Sequence, residues 1–151
     1  MGAAYFYHLT KSTLDGALHK LLPRARAAGW RIEIRGRDMS ALKRLDHQLW
    51  EGPVDGFLPH GIAGTPDDPL QLILLTHEPS DHSFKCIMAV HGADVSVQEV
   101  SGAERVCILF DGNDSDAVQH ARVQWKTLTA GGVSAQYWSE ASGSWEKKAE
   151  T

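Results

Sequence analysis

"ERVCILFDGNDSDAVQHARVQWKTLTAGGVSAQYW", Glu104 to Trp138, decides the fold class. Its first seven residues, Glu104–Phe110, are dominated by apolar β formers and read as a strand. Asp111, Asp114 and Asp116 then gather where a helix N-terminus welcomes negative charge. From about Asp114 to Ala130, Val118, Ala121, Trp125 and Leu128 recur at the ~100° spacing of one helical face. Gly131-Gly132 stops the helix, and "VSAQYW" begins a second strand. Strand, long helix, strand is the unit of a parallel sheet, because parallel neighbours need a long crossover between them.

Working outward, the same alternation recurs. "AYFYHL" (Ala4–Leu9) is a strand rich in β formers. Ser12 with Asp15 resembles a capping box, and Leu14, Ala17, Leu18, Leu21, Leu22 and Ala25 follow at helical spacing as far as Gly29. Pro23 is expected to kink or split that helix. "WRIEIR" alternates Trp30, Ile32 and Ile34 with Arg31, Glu33 and Arg35, the period of a half-buried strand. Asp38 caps a second helix, whose apolar positions are Met39, Leu42, Leu45, Leu49 and Trp50. A Gly/Pro-rich loop runs from Glu51 to Pro69. "LQLILL" (Leu70–Leu75) is nearly all apolar and therefore central. After the turn "THEPSDHS", "KCIMAV" (Lys85–Val90) is the next strand, and His91–Gly102 reads as loop or short irregular helix. "WEKK" is a candidate edge strand, with the tail from about residue 146 to 151 expected to fray.

These elements predict an α/β chain with a three-layer Rossmann-like fold, helices covering both faces of a mostly parallel sheet. Leu70–Leu75 and Lys85–Val90 have no long helix between them, so the sheet is expected to be mixed. No repeat, low-complexity tract or linker divides the chain, and residues 1–151 read as one domain.

The totals exclude several classes. The chain has 151 residues, 42% of them hydrophobic, enough for a sizeable core. A net charge of −4 argues against a large nucleic-acid footprint, although it leaves room for a local basic patch. Cys86 and Cys107 lie inside apolar runs and read as reduced core thiols. Neither a leader-like N-terminus nor a membrane-length apolar run is present, which points to the cytoplasm.

Chemical motifs are sparse. The first strand leads into "TKSTLDG", without the glycines that let a backbone approach a pyrophosphate. Gly131-Gly132 follows a helix, the wrong end for an anion. His77, Glu78, Asp81 and His82 share one loop but lack a rigid metal-binding spacing. No metal, cofactor or catalytic residue is assigned; around His60 the sequence shows no serine, cysteine or carboxylate at a spacing that would mark it as a general base. The most informative feature is on the last long helix. Arg122 and Lys126 are four residues apart beside Trp125, with no acid four residues before the arginine or after the lysine. They suit either a seat for an acidic peptide with an apolar end or a solvated basic edge. Trp50, Phe57 and Leu58 raise a similar choice, between facing a partner and folding back onto the sheet edge.

Two segments together resemble the chi subunit family of bacterial DNA polymerase III holoenzyme. "RLDHQLWEGPVDGFLPHGIAG" matches the family's R-L-D, L-W, F-[VL]-P-H and A-G pattern at Arg44, Leu45, Asp46, Leu49, Trp50, Phe57, Leu58, Pro59, His60, Ala63 and Gly64. "ARVQWKTLTAGG" matches A-R-x-x-[WY]-K and a following glycine at Ala121, Arg122, Trp125, Lys126 and Gly132. The opening "YFYHL" and the ending "YWSEASGSWEKKA" resemble the family too. The resemblance implies a non-catalytic adaptor of the clamp-loader assembly in DNA replication. Arg122 and Lys126 would receive the acidic C-terminal tail of single-stranded DNA-binding protein, and Trp125 and Leu128 its terminal Phe. Trp50, Phe57, Leu58, Pro59 and His60 would face the psi subunit or another clamp-loader component. It implies no cofactor, no direct nucleic-acid contact and no membrane. The competing expectation is a nucleotide-dependent enzyme on a degenerate Rossmann-like frame.

Overall fold

The structure, a computed structural model, describes residues 2–51, 60–64, 66, 71–77 and 84–151. The elements are β1 (Ala3–Leu9), α1 (Leu14–Ala27), β2 (Ile32–Arg35), α2 (Met39–Trp50), β3 (Gly61–Ile62), β4 (Ile73–Thr76), β5 (Cys86–Ala89), α3 (Val97–Gly102), β6 (Arg105–Asp111), α4 (Ser115–Ala130), β7 (Ser134–Ser139) and β8 (Glu146–Glu150). Among the described residues, eight strands form one sheet in the order β3-β4-β2-β5-β6-β1-β7-β8. Only the β7–β8 pair is antiparallel. The sheet is thus mixed, but for a different reason from the one expected. β4 and β5 do not pair with each other; they flank β2, and both run parallel to it.

Two cores lie back to back across the sheet. Leu18 and Leu22 of α1 and Leu42, Leu45 and Leu49 of α2 pack on Ile32, Ile34, Ile73 and Leu75. On the other face Val100 of α3 and Ala121 and Leu128 of α4 pack on Phe6, Val106 and Ile108. Strand period two makes this possible, since neighbours such as Phe6 and Tyr7 point to opposite faces. Each fully buried Leu, Ile or Phe contributes about 1.5–3 kcal/mol. Both cysteines are buried and free. Among the described residues no helix is long and apolar enough to cross a membrane.

Local chemistry departs from expectation at four places. Thr13, not Ser12, caps α1, accepting a bond from the Gly16 N–H; the Ser12 hydroxyl donates to Glu140 instead. α1 runs unbroken through Pro23. Pro23 is exposed, and the carbonyl it leaves unbonded, one turn earlier, lies on the same side of the helix. β2 is buried on both faces rather than half-buried. Its charged side is closed by ion pairs from Arg35 to Glu33, at 2.7 Å, and to Glu99 on α3. Thr76 Oγ1 donates to Glu33 at 2.9 Å, and Arg35 donates to the Asp94 carbonyl at 3.2 Å. Finally, residues 146–150 do not fray; they pair with β7, and the Thr151 N–H donates to the Ala135 carbonyl.

Candidate functional site

α4 starts cleanly because the Asp114 carboxylate accepts bonds from the Asp116 and Ala117 N–H groups. Its inward side is Ala121, Gln124 and Leu128, all buried. Gln124 is tolerated there because its amide donates to the Ala93 carbonyl at 3.1 Å. The rotation that buries these residues leaves Arg122 and Lys126 exposed, one turn apart, with Trp125 half-buried between core and rim. Among the described residues neither cation makes an ion pair. Trp125 meets Phe6 edge-on at 5.3 Å and Tyr137 at 6.1 Å. The Tyr137 hydroxyl is 3.1 Å from His8 Nδ1. Burial raises the Tyr137 phenol pKa, and the nearby Arg122 charge works against that rise. The cations therefore sit on the lip of an aromatic cluster of Phe6, Trp125 and Tyr137. Leu128 requires correction: at 1% exposure it anchors the helix and lines no surface. Phe6 and Tyr137 escaped the sequence reading, although they lie opposite each other in the β1–β7 register.

The loop residues Phe57, Leu58 and Pro59 lie outside the described residues. Trp50 and His60 are described, and they belong together. Their rings stack at 4.2 Å with planes 27° apart. His60 Nε2 lies 3.2 Å from the Asp46 carbonyl and 3.1 Å from its carboxylate. Trp50 is 49% exposed, but His60 is buried. His60 consequently cannot present itself to a partner; it backs Trp50 and ties the start of β3 to α2. The R-L-D, L-W and P-H pieces thus meet in space as Asp46, Trp50 and His60, and the segment's spacing is partly a folding device.

A crevice of about 930 Å³ opens at the carboxyl ends of the strands, where an open α/β sheet usually binds its ligand. Four aspartates (15, 111, 114 and 116) line it against Arg37 and Arg44, which does not suit a phosphate ester. More tellingly, the loop after β1 has already spent its amides. The N–H groups of Thr10, Lys11 and Ser12 all donate to Glu140 Oε2, at 3.1, 3.2 and 2.8 Å. In a dinucleotide-binding fold the amides after the first strand receive the pyrophosphate; here the chain's own carboxylate is the anion. Burial raises the Glu140 pKa, but these bonds and the Ser12 hydroxyl outweigh it and hold the carboxyl below its ordinary value. The nucleotide-dependent alternative finds no support in this geometry. Among the described residues no group of three His, Cys, Asp or Glu side chains could hold a metal ion.

No curated protein matches the chain. The family model of the DNA polymerase III chi subunit, HolC, matches residues 1–136, which spans every element through β6 and α4 and into β7. That extent decides the assignment: the chain belongs to the DNA polymerase III chi subunit family, an accessory subunit of the replication machinery.

Proposed function

We propose that the chain is a non-catalytic adaptor that binds the acidic, Phe-terminated C-terminal tail of single-stranded DNA-binding protein and links it to the clamp-loader assembly. The observation that supports this is the pair of exposed cations at Arg122 and Lys126, without an ion pair among the described residues, beside half-buried Trp125. A terminal carboxylate and neighbouring acidic side chains would be held by charge-assisted bonds from the pair. The terminal benzyl group would pack on the Trp125–Tyr137 aromatic edge. A second surface, centred on Trp50, would hold the psi subunit or another clamp-loader component, with Phe57, Leu58 and Pro59 assigned to it by the family pattern alone. An exposed tryptophan braced from behind is a rigid anchor, the kind of residue that dominates binding energy at interfaces.

The test is calorimetric titration with a short peptide ending Asp-Asp-Ile-Pro-Phe. Binding is expected in the micromolar range, on the order of −8 kcal/mol, and weaker as salt screens the exposed contacts. Arg122→Ala and Lys126→Ala should each weaken it several-fold, as should amidation of the terminal carboxylate. Trp50→Ala should leave peptide binding intact while reducing capture of the clamp-loader partner. Unchanged affinity in both cation variants would overturn the assignment of the tail site.

A further inference from the structure

The sheet face opposite α4 carries a second groove, of about 390 Å³, roofed by α1 and bordered by the β7–β8 hairpin. Its floor is aromatic. Tyr5 and Tyr7 alternate along β1, and Trp138 lies opposite Tyr7 in the β1–β7 register. Trp145 closes the hairpin side, edge-on to Tyr7 at 5.5 Å. All four rings are only partly buried. The wall is basic. Lys20 and Arg24 stand four residues apart on α1 and are exposed, and Arg105 lays its guanidinium 4.2 Å over the Tyr5 ring. Arg105 Nε is buried and has no hydrogen-bond partner among the described residues. None of the lining residues is acidic. Glu140, which the lining residue Ser12 contacts, is engaged by the amides of residues 10–12.

We propose that this groove binds single-stranded nucleic acid, seating one base on the Tyr7–Trp138–Trp145 surface and the adjoining phosphates on Lys20, Arg24 and Arg105. A row of aromatic rings on a sheet face, tracked by cations, suits an unpaired strand: every base has a flat face to stack, and the cations follow the backbone. Arg105, held against the Tyr5 and Trp30 rings at 4.2 and 5.4 Å, fixes a positive charge at the groove wall. The volume fits a ligand of one nucleotide's size. An acidic peptide shares the charge, but its carboxylates and backbone offer no flat ring to the Tyr7–Trp138–Trp145 surface. The net charge of −4 disfavoured a large nucleic-acid footprint; a one-base groove with three cations is the local patch that this charge permits. The site lies on the opposite sheet face from Trp125 and Tyr137, so it stands apart from the tail site.

The test is fluorescence anisotropy of a labelled oligothymidylate of about ten nucleotides, titrated with the full chain at about 50 mM salt. Saturable binding is expected. Three phosphate contacts would make it fall roughly fifteen- to twentyfold between about 50 and 200 mM salt. Lys20→Glu and Arg24→Glu are surface changes that leave the core intact, and each should weaken binding at least tenfold. Trp145→Ala should do the same, with circular dichroism verifying the fold. An abasic oligomer of the same length should bind at least tenfold more weakly. The Phe-terminated acidic peptide should not displace the oligomer, and Lys126→Ala should leave oligomer affinity unchanged, so each site can fail without the other. The proposal is overturned by absence of binding at about 100 μM protein, by equal affinity for the abasic strand, by indifference to the α1 charge reversals, or by displacement with the peptide.

Discussion

Glu140 shows how one side chain closes a site that the fold would otherwise open. Four donors converge on its carboxylate, three of them backbone amides of the loop after β1. Replacing it with glutamine keeps the shape but removes the charge that makes those bonds strong. Glu140→Gln is expected to lower stability by about 1–3 kcal/mol at pH 7 in urea unfolding. The pH dependence has a definite sign. The folded carboxyl lies below its ordinary value, so its contribution is present above the unfolded-state pKa of roughly 4.3 and lost as pH falls through the folded value. The gap between parent and variant should therefore narrow in acid. Sequence offered no route to this residue, because Glu140 and Thr10 are 130 positions apart. A loop lacking phosphate-binding glycines was legible; what satisfies its amides was not.

At the scale of elements, periodicity located the helices and strands well, and side-chain competition shifted their ends. The period of α4 was visible as Val118, Ala121, Trp125 and Leu128, yet periodicity ranks residues by face and not by depth. Hence Leu128 is sealed in the core while Trp125, on the same stripe, reaches the rim. The α1 reading failed in the other direction. Pro23 was expected to disturb a helix that continues unbroken, because on an exposed side the lost bond can be made to water. The cost remains nonetheless. Proline is about 3 kcal/mol worse than alanine in a helix interior, so Pro23→Ala is expected to stabilise the chain by roughly 1–3 kcal/mol, read as a higher denaturant midpoint. A decrease would mean that the ring itself is part of the packing of α1.

For the whole molecule, the sheet acts as a partition between two hydrophobic cores. One charged cluster crosses between its parts: Arg35 joins Glu33 within β2 and Glu99 on α3. Burial raises the Glu99 pKa, but the bonds from Arg35 and Ser96 outweigh it, and the carboxyl stays below its ordinary value. Removing one partner from a buried pair strands the others, so Arg35→Met should destabilise by about 3–5 kcal/mol in equilibrium unfolding. A near-neutral result would show that water reaches Glu33 and Glu99 and relieves them. The alternation in "WRIEIR" was read as a wet face because charge usually marks solvent; here mutual neutralisation lets the same pattern lie under α3.

The sequence by itself determined the α/β class, the parallel crossover around α4, the stacked cations at 122 and 126 and the family pattern, because all of these are local spacings along one chain. Only the tertiary structure decided what lies across the sheet from what. It paired Trp50 with His60, filled the β1 loop with Glu140, and brought Tyr7 and Trp138 together under the cations of α1. Those meetings depend on strand order and on which face each helix covers, and many strand orders satisfy the same local spacings.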